Sequence, residues 1–291
     1  MPLSIKDGRY LFRLSRPVNI LLAEATYAFS AYVSAPGTTV FLRDDKFYVQ
    51  AAVMAAVMAG GYWINDVFDQ KIDRVNKPQK ALVGTHISTK KTLTAYWIIN
   101  LAALAATVWL PFKFRLLNFG AAATLFFYAA HLKRHALWGN LTIAVLTALP
   151  VVAGAMLWHF KAPHLWAAVF AFWVNFVREI VKDVEDLRGD LAFGVRTLPV
   201  RIGMQATKKF LYGAYALLLA LLPVPAAFYF WRWQIWTAEY LAATTVLTLP
   251  LWIGCINDLR RATRPEDYGR QSRRLKWLMA AGLFSLFFLP V

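Results

Sequence analysis

The chain has 291 residues, 59% of them hydrophobic and only 16% charged, with a mean hydropathy of +0.44; a soluble domain of this length carries more charge and amphipathic stripes. One cysteine, Cys255, excludes an intramolecular disulfide and a multi-cysteine metal site. The net charge of +16 raises nucleic acid as a partner, but its placement along the chain argues against that.

Residues 1–16 are of mixed character with no small-residue cleavage site after them, so the first apolar stretch is expected to be retained. Nine apolar segments follow, at 18–36, 48–64, 92–111, 117–130, 137–158, 165–181, 210–230, 240–256 and 275–291. Most have the length that crosses a bilayer core, and lipid forces such segments to be helical because it satisfies no free backbone groups. Pro150, Pro223, Pro225 and Pro250 lie inside them and predict kinks.

Lys and Arg divide unevenly: 26 of 32 fall before the first segment or in the connections after the second, fourth, sixth and eighth, with Arg178 and Lys276 at the adjoining segment edges counted in. The positive-inside rule puts the N-terminus and those connections in the cytoplasm, in a cytoplasmic-membrane protein. The basic excess is thus topology and attraction to membrane lipids, with no nucleic-acid surface.

The second segment runs into Asn65-Asp66-Val67-Phe68-Asp69-Gln70-Lys71-Ile72-Asp73, and on a helix Asn65, Asp66, Asp69 and Asp73 share one stripe. Like charges so placed repel and call for a cation among them. The sixth segment ends in a second copy, where Asp183, Val184, Asp186 and Asp190 repeat the spacing of Asp66, Val67, Asp69 and Asp73. Counted from Glu179, the two clusters hold eight of the 16 acids. Copies four segments apart on one membrane face suggest a parallel duplication of four-helix units plus one added helix. Two carboxylate clusters at one face bridge a polyanion through metal, and Mg²⁺ fits their hard oxygen donors. A diphosphate held between them would lose its leaving charge to the ions, with a hydrocarbon tail in the bundle and Tyr62, Trp63, Phe68 and Tyr128 shielding a carbocation. Ionisation of a prenyl diphosphate with alkylation of an acceptor uses all these parts.

These motifs resemble those of the UbiA-type intramembrane prenyltransferases. Asn65 to Asp73 with Arg74-Val75-Asn76-Lys77-Pro78 is similar to the superfamily's first motif, and Arg178 to Asp190 to its second. Arg16-Pro17-Val18-Asn19, Leu132-Lys133-Arg134, Gly139-Asn140 and Arg196-Thr197-Leu198-Pro199 match in order along most of the chain. The Asn-Lys-Pro that follows the Asn65–Asp73 motif, and the Arg-Glu-Ile-Val-Lys-Asp run from Arg178, are most similar to the branch of geranylgeranylglyceryl phosphate geranylgeranyltransferases, which make ether lipids. Lys80-Ala81, Val83 and Ala129 depart from the common pattern, in what the resemblance places as acceptor and diphosphate loops.

The expectation is a single all-α domain over 1–291, with nine transmembrane helices in a ring-like bundle around a central cavity. Asn65, Asp66, Asp69 and Asp73 would hold one Mg²⁺, and Asp183, Asp186 and Asp190 another, with Asp66, Asp69, Asp183 and Asp186 carrying catalysis. Lys182, Lys77 and Arg134 would grip the diphosphate, with Lys71 and Arg178 as further donors. Asn19 and Asn175, polar groups inside segments, would face the cavity. Glu24 either binds acceptor or bonds another helix. The five histidines show no ligand pairing, and Asn257-Asp258 reads as a helix cap. The partners are a prenyl diphosphate and a lipid or aromatic acceptor. Quinone-, heme- or chlorophyll-type aromatic prenylation is the alternative chemistry; a secondary transporter is the alternative class, though its carboxylates would lie at mid-membrane.

Overall fold

A computed structural model describes residues 3–37, 39–79 and 81–290. Lys80, part of the loop departure noted above, and Val291, the end of the ninth segment, lie outside them. Most of the described residues are helical, and the β pairing among them is limited to isolated bridges of Val83 with Ile87 and His135 with Arg196. They form two compact units, Met1–Lys133 with Ala153–His159, and Arg134–Val152 with Phe160–Val291.

The first unit holds α1 (Ile5–Leu14), α2 (Pro17–Ser34), α3 (Asp45–Phe68), α4 (Gln70–Asn76), α5 (Thr89–Ala106) and α6 (Phe112–Ala130). Next comes α7 (Trp138–Ala155), followed in the second unit by α8 (Ala162–Glu185), α9 (Leu187–Ala192), α10 (Leu198–Leu221), α11 (Val224–Trp233), α12 (Ala238–Arg261) and α13 (Tyr268–Ser285).

Six stretches among the described residues are long and apolar enough to cross a membrane: α3, α5 with its terminal 3₁₀ turn, α7, α8, α10 with α11, and α12. The first, fourth and ninth predicted segments form α2, α6 and α13, which are helical but more polar. Asn19 and Glu24 dilute α2, Lys113 and Arg115 open α6, and four basic residues occupy the first half of α13. Arg115 folds back onto the carbonyls of Leu110 (3.1 Å) and Val108 (2.9 Å), which lets α6 begin earlier than its apolar run. Pro223 divides the seventh segment into α10 and α11, since its ring cannot donate to the ladder, while Pro150 and Pro250 remain inside α7 and α12.

In the first unit α3 packs against α5 and α6. A Cβ at Gly60 would run into the Asn100 side chain and one at Gly61 would come within 2.8 Å of Leu125, so the glycine pair permits both close approaches. Gln50 and Asn118 exchange amide hydrogen bonds of 3.2 and 2.8 Å between α3 and α6, satisfying two buried polar groups. In the second unit α13 packs on α12 and α8, and α8 on α10. The Asp258 carboxylate accepts from Arg274 Nε at 2.9 Å and ties α12 to α13, correcting the expectation of a helix cap.

The mixed segment before Arg16 is a helix. Ser4 accepts from the Asp7 backbone, and Asp7 from that of Ser4, a capping box at its start. Asp7 also pairs with Lys91 Nζ at 2.7 Å, pinning α1 to the start of α5. Hydrogen bonds from Lys91 and then Ser4 hold the Asp7 carboxyl at about 2, below its ordinary 3.8. A depressed carboxylate stabilises the fold above its unfolded value and loses that contribution as pH falls toward its folded value. Wild-type protein is therefore expected to melt above Asp7→Asn at pH 6, and the gap to close between pH 3.8 and about 2. A gap at pH 2 as wide as at pH 6 contradicts the assignment.

Candidate active site

The apolar ladder of α3 continues through Asn65 and Asp66 and stops at Phe68. Asp69 sits between α3 and α4 at φ −90°, ψ 1°, so the stripe bends there instead of following one straight helix. The turn hydrogen bonds persist, from Asp69 N to Asn65 O (2.9 Å) and from Asp73 N to Asp69 O (2.8 Å). The second motif bends at the matching residue: Asp186, between α8 and α9, has φ −94°, ψ 6°. Its flanking bonds are Asp186 N to Lys182 O (2.8 Å) and Asp190 N to Asp186 O (3.2 Å). A glycine at positive φ follows each, Gly84 (76°) and Gly194 (67°). The sequence repeat is thus a repeat of backbone conformation.

At the first motif the cation called for by charge repulsion is Lys133, from the 3₁₀ turn after α6. Its Nζ lies 2.7 Å from Asp69 Oδ1 and 3.3 Å from Asn65 Oδ1. Asn65 Nδ2 in turn donates to Asp69 Oδ2 at 2.8 Å. Burial pushes the Lys133 ammonium below the usual lysine range, opposed by the charge of Asp69. Arg16 supplies a second cation, 2.8 Å from Asp66 Oδ1 and 4.7 Å above the Tyr62 ring. Preceding Pro17, it takes left-handed backbone angles (φ 52°, ψ 60°), which aim it back at α3 at a cost of about 1–2 kcal/mol. Asn19 donates to Tyr62 OH at 3.2 Å.

Lys71 is exposed, Lys77 half-buried at the end of α4, and Asp73 half-buried beneath it. Trp63 is buried with its indole on the Leu11 carbonyl (2.9 Å), so it anchors α1 and shields no site, a correction to the expected aromatic wall. Ala129, read as a loop departure, is fully buried in the same apolar cluster. The loop after α4 closes on Gly84, where a Cβ would lie 2.8 Å from Gln70 Oε1 and 2.9 Å from Arg74 Nη2. Gly84→Ala is expected to cost about 1–2 kcal/mol through the positive φ, read as a lower melting temperature; an unchanged one contradicts it.

At the second motif Asn140, from the first turn of α7, donates to Asp183 Oδ2 at 2.8 Å. Glu179, 7% exposed, accepts from Lys182 Nζ at 2.8 and 3.0 Å and lies 3.3 Å from Arg178 Nη1. Arg178 also donates to Ser272 O at 3.3 Å. Asp190 is buried and accepts from Thr197 Oγ1 at 3.0 Å, which commits one of its oxygens to shaping the loop into α10. Asn175 is buried, with no hydrogen-bond partner for its Nδ2 among the described residues. Arg134 is exposed, its carbonyl accepting from Arg196 N at 3.0 Å. Asn140 orients Asp183, so Asn140→Ala is expected to slow turnover by about 10- to 100-fold with little change in melting temperature.

Among the described residues no three His, Cys, Asp or Glu side chains form a ready-made metal cluster; at the first motif Arg16 and Lys133 lie on the acids instead. The donors still suit a hard divalent ion, being carboxylates and an amide oxygen on successive helical turns. Sequence reasoning did not foresee which partners Arg16, Lys133, Asn140 and Glu179 would take, although all four lie in its motif matches.

Residues 25–278 match the model of the UbiA prenyltransferase family. A digeranylgeranylglyceryl phosphate synthase of Methanoregula boonei is 33% identical over 83% of this chain and 84% of its own. One from Korarchaeum cryptofilum is 29% identical over 98% of both. Among solved structures, a digeranylgeranylglyceryl phosphate synthase superposes with a TM-score of 0.69 at 24% identity over 97% of this chain and 99% of that one. A UbiA homologue from Archaeoglobus fulgidus bound to GPP and Mg²⁺ gives 0.67 at 19% over 96% and 99%. This chain belongs to the UbiA prenyltransferase family and is an integral membrane enzyme that transfers prenyl groups.

Proposed function

We propose that the chain transfers a geranylgeranyl group from its diphosphate to geranylgeranylglyceryl phosphate, a membrane lipid acceptor, in a Mg²⁺-dependent reaction. One observation carries the reading of the machinery: the same acidic stripe occurs twice, each bent at its second aspartate. The acceptor reading rests on the Asn76-Lys77-Pro78 and Arg178 to Asp183 flanks and on the names of the relatives.

Asn65, Asp66, Asp69 and Asp73 would hold metal at the first motif, and Asp183, Asp186 and Asp190 at the second. Bound there, Mg²⁺ supplies Lewis-acid neutralisation of the departing diphosphate. Arg16 and Lys133, which sit on Asp66 and Asp69, would offer their donors to phosphate oxygens once the carboxylates held metal. Lys77 and Lys71 add cations at the first motif, and Lys182, Arg178 and Arg134 at the second. Asn19 and Asn175 would offer amide groups to substrate, the latter with a donor that no atom of the described residues takes.

Nine crossings would be made by α2, α3, α5, α6, α7, α8, α10 with α11, α12 and α13, with the N-terminus and both motif loops in the cytoplasm. A parallel duplication would relate α3 to α8. Equilibrium binding of labelled geranylgeranyl diphosphate tests the shared machinery: saturable binding that disappears with EDTA and returns with Mg²⁺ supports it, and metal-independent binding contradicts it.

A further inference from the structure

The helix α1 has two unlike faces. Asp7, Leu11 and Leu14 are buried against the first unit, whereas Ile5 (83% exposed), Phe12 (64% exposed), Lys6, Arg9 and Arg13 point away from it. Ile5 and Phe12 are seven residues apart, two turns along one stripe, and Arg9 lies between them on the same side. The one acid of α1, Asp7, is buried on the opposite side and paired with Lys91. No ion pair neutralises Lys6, Arg9 or Arg13 among the described residues.

Depth along α3 says what this face meets. The Leu11 carbonyl accepts from the indole of Trp63, which lies little more than one turn before the end of α3 at Phe68. At 1.5 Å rise per residue that is roughly 8 Å below the helix end, the level of lipid headgroups and not of bulk water. Two residues after α1 the chain enters α2, so α1 cannot rise far from that level. An outward stripe of apolar side chains edged with unpaired cations, held at headgroup depth, is complementary to an anionic leaflet.

We propose that α1 is an in-plane anchor for an anionic membrane surface, with Ile5 and Phe12 in the acyl boundary and Lys6, Arg9 and Arg13 on lipid phosphates. Because Arg16 lies two residues beyond the end of α1 and sits on Asp66, the anchor also fixes the approach of that cation to the first motif.

A nitroxide on Phe12→Cys tests this in the full-length protein, since the native Cys255 is buried and does not compete for label. The label is compared in phosphatidylcholine vesicles with and without phosphatidylglycerol, by its collision rates with oxygen and with a water-soluble nickel complex. The expected result is a shift toward oxygen when anionic lipid is present. Adding Arg9→Gln or Arg13→Gln is expected to lower the lipid-to-water partition of the label by about fivefold each. Equal nickel access in both vesicles overturns the proposal, as does a depth indifferent to lipid charge. Dipolar broadening between labels overturns it too, because it would place a second copy of the chain on this face.

Discussion

Asp66→Asn is expected to abolish prenyl transfer and leave the protein folded. The amide oxygen still accepts from Arg16, now 2.8 Å from the carboxylate, so the packing of α1 and α2 on α3 keeps its hydrogen bond. The negative charge that would draw a divalent ion is gone. A metal acting as Lewis acid on a phosphate is worth several kcal/mol, and each 1.36 kcal/mol is tenfold in rate, so the loss is about a thousandfold. Single-turnover product formation with a parallel melting curve checks it. Turnover within about tenfold of wild type would remove Asp66 from the metal set.

Asp183→Asn carries the second large effect. Asp183 is fixed by the amide of Asn140 at 2.8 Å, and the substituted side chain occupies the same space. If the second motif also holds metal, turnover falls again by about a thousandfold, whereas removing the orienting amide in Asn140→Ala costs less. The ordering separates the roles. A second motif that only shapes a loop would show Asn140→Ala and Asp183→Asn equally mild, with lowered melting temperatures instead.

The sequence reading succeeds where the physics is local or periodic. Apolar runs of membrane length mark the helices around α3, α5, α7, α8 and α12, and the duplicated aspartate spacing leads to both motifs. It fails where one residue changes the backbone. The bends at Asp69 and Asp186 leave the i-to-i−4 bonds in place, so the helical spacing looks unbroken in sequence. Arg16 reaches Asp66 across 50 positions only because of its left-handed backbone, which no propensity of arginine announces. Lys133 is chosen over its neighbour Arg134 by the turn after α6, which spacing alone cannot rank. The helix α1 is within reach of the sequence, since Ser4 and Asp7 form a capping-box pattern, but its ten residues are too short to compete with the membrane-length runs around it.

The central claim is tested most directly with purified protein in lipid nanodiscs, given Mg²⁺ and geranylgeranyl diphosphate. Geranylgeranylglyceryl phosphate and 4-hydroxybenzoate are offered together, and products are resolved by mass. The account predicts the doubly prenylated glyceryl phosphate as the product, absent when EDTA replaces Mg²⁺. Prenylated benzoate with the glyceryl phosphate untouched would contradict it and place the chain among the aromatic prenyltransferases.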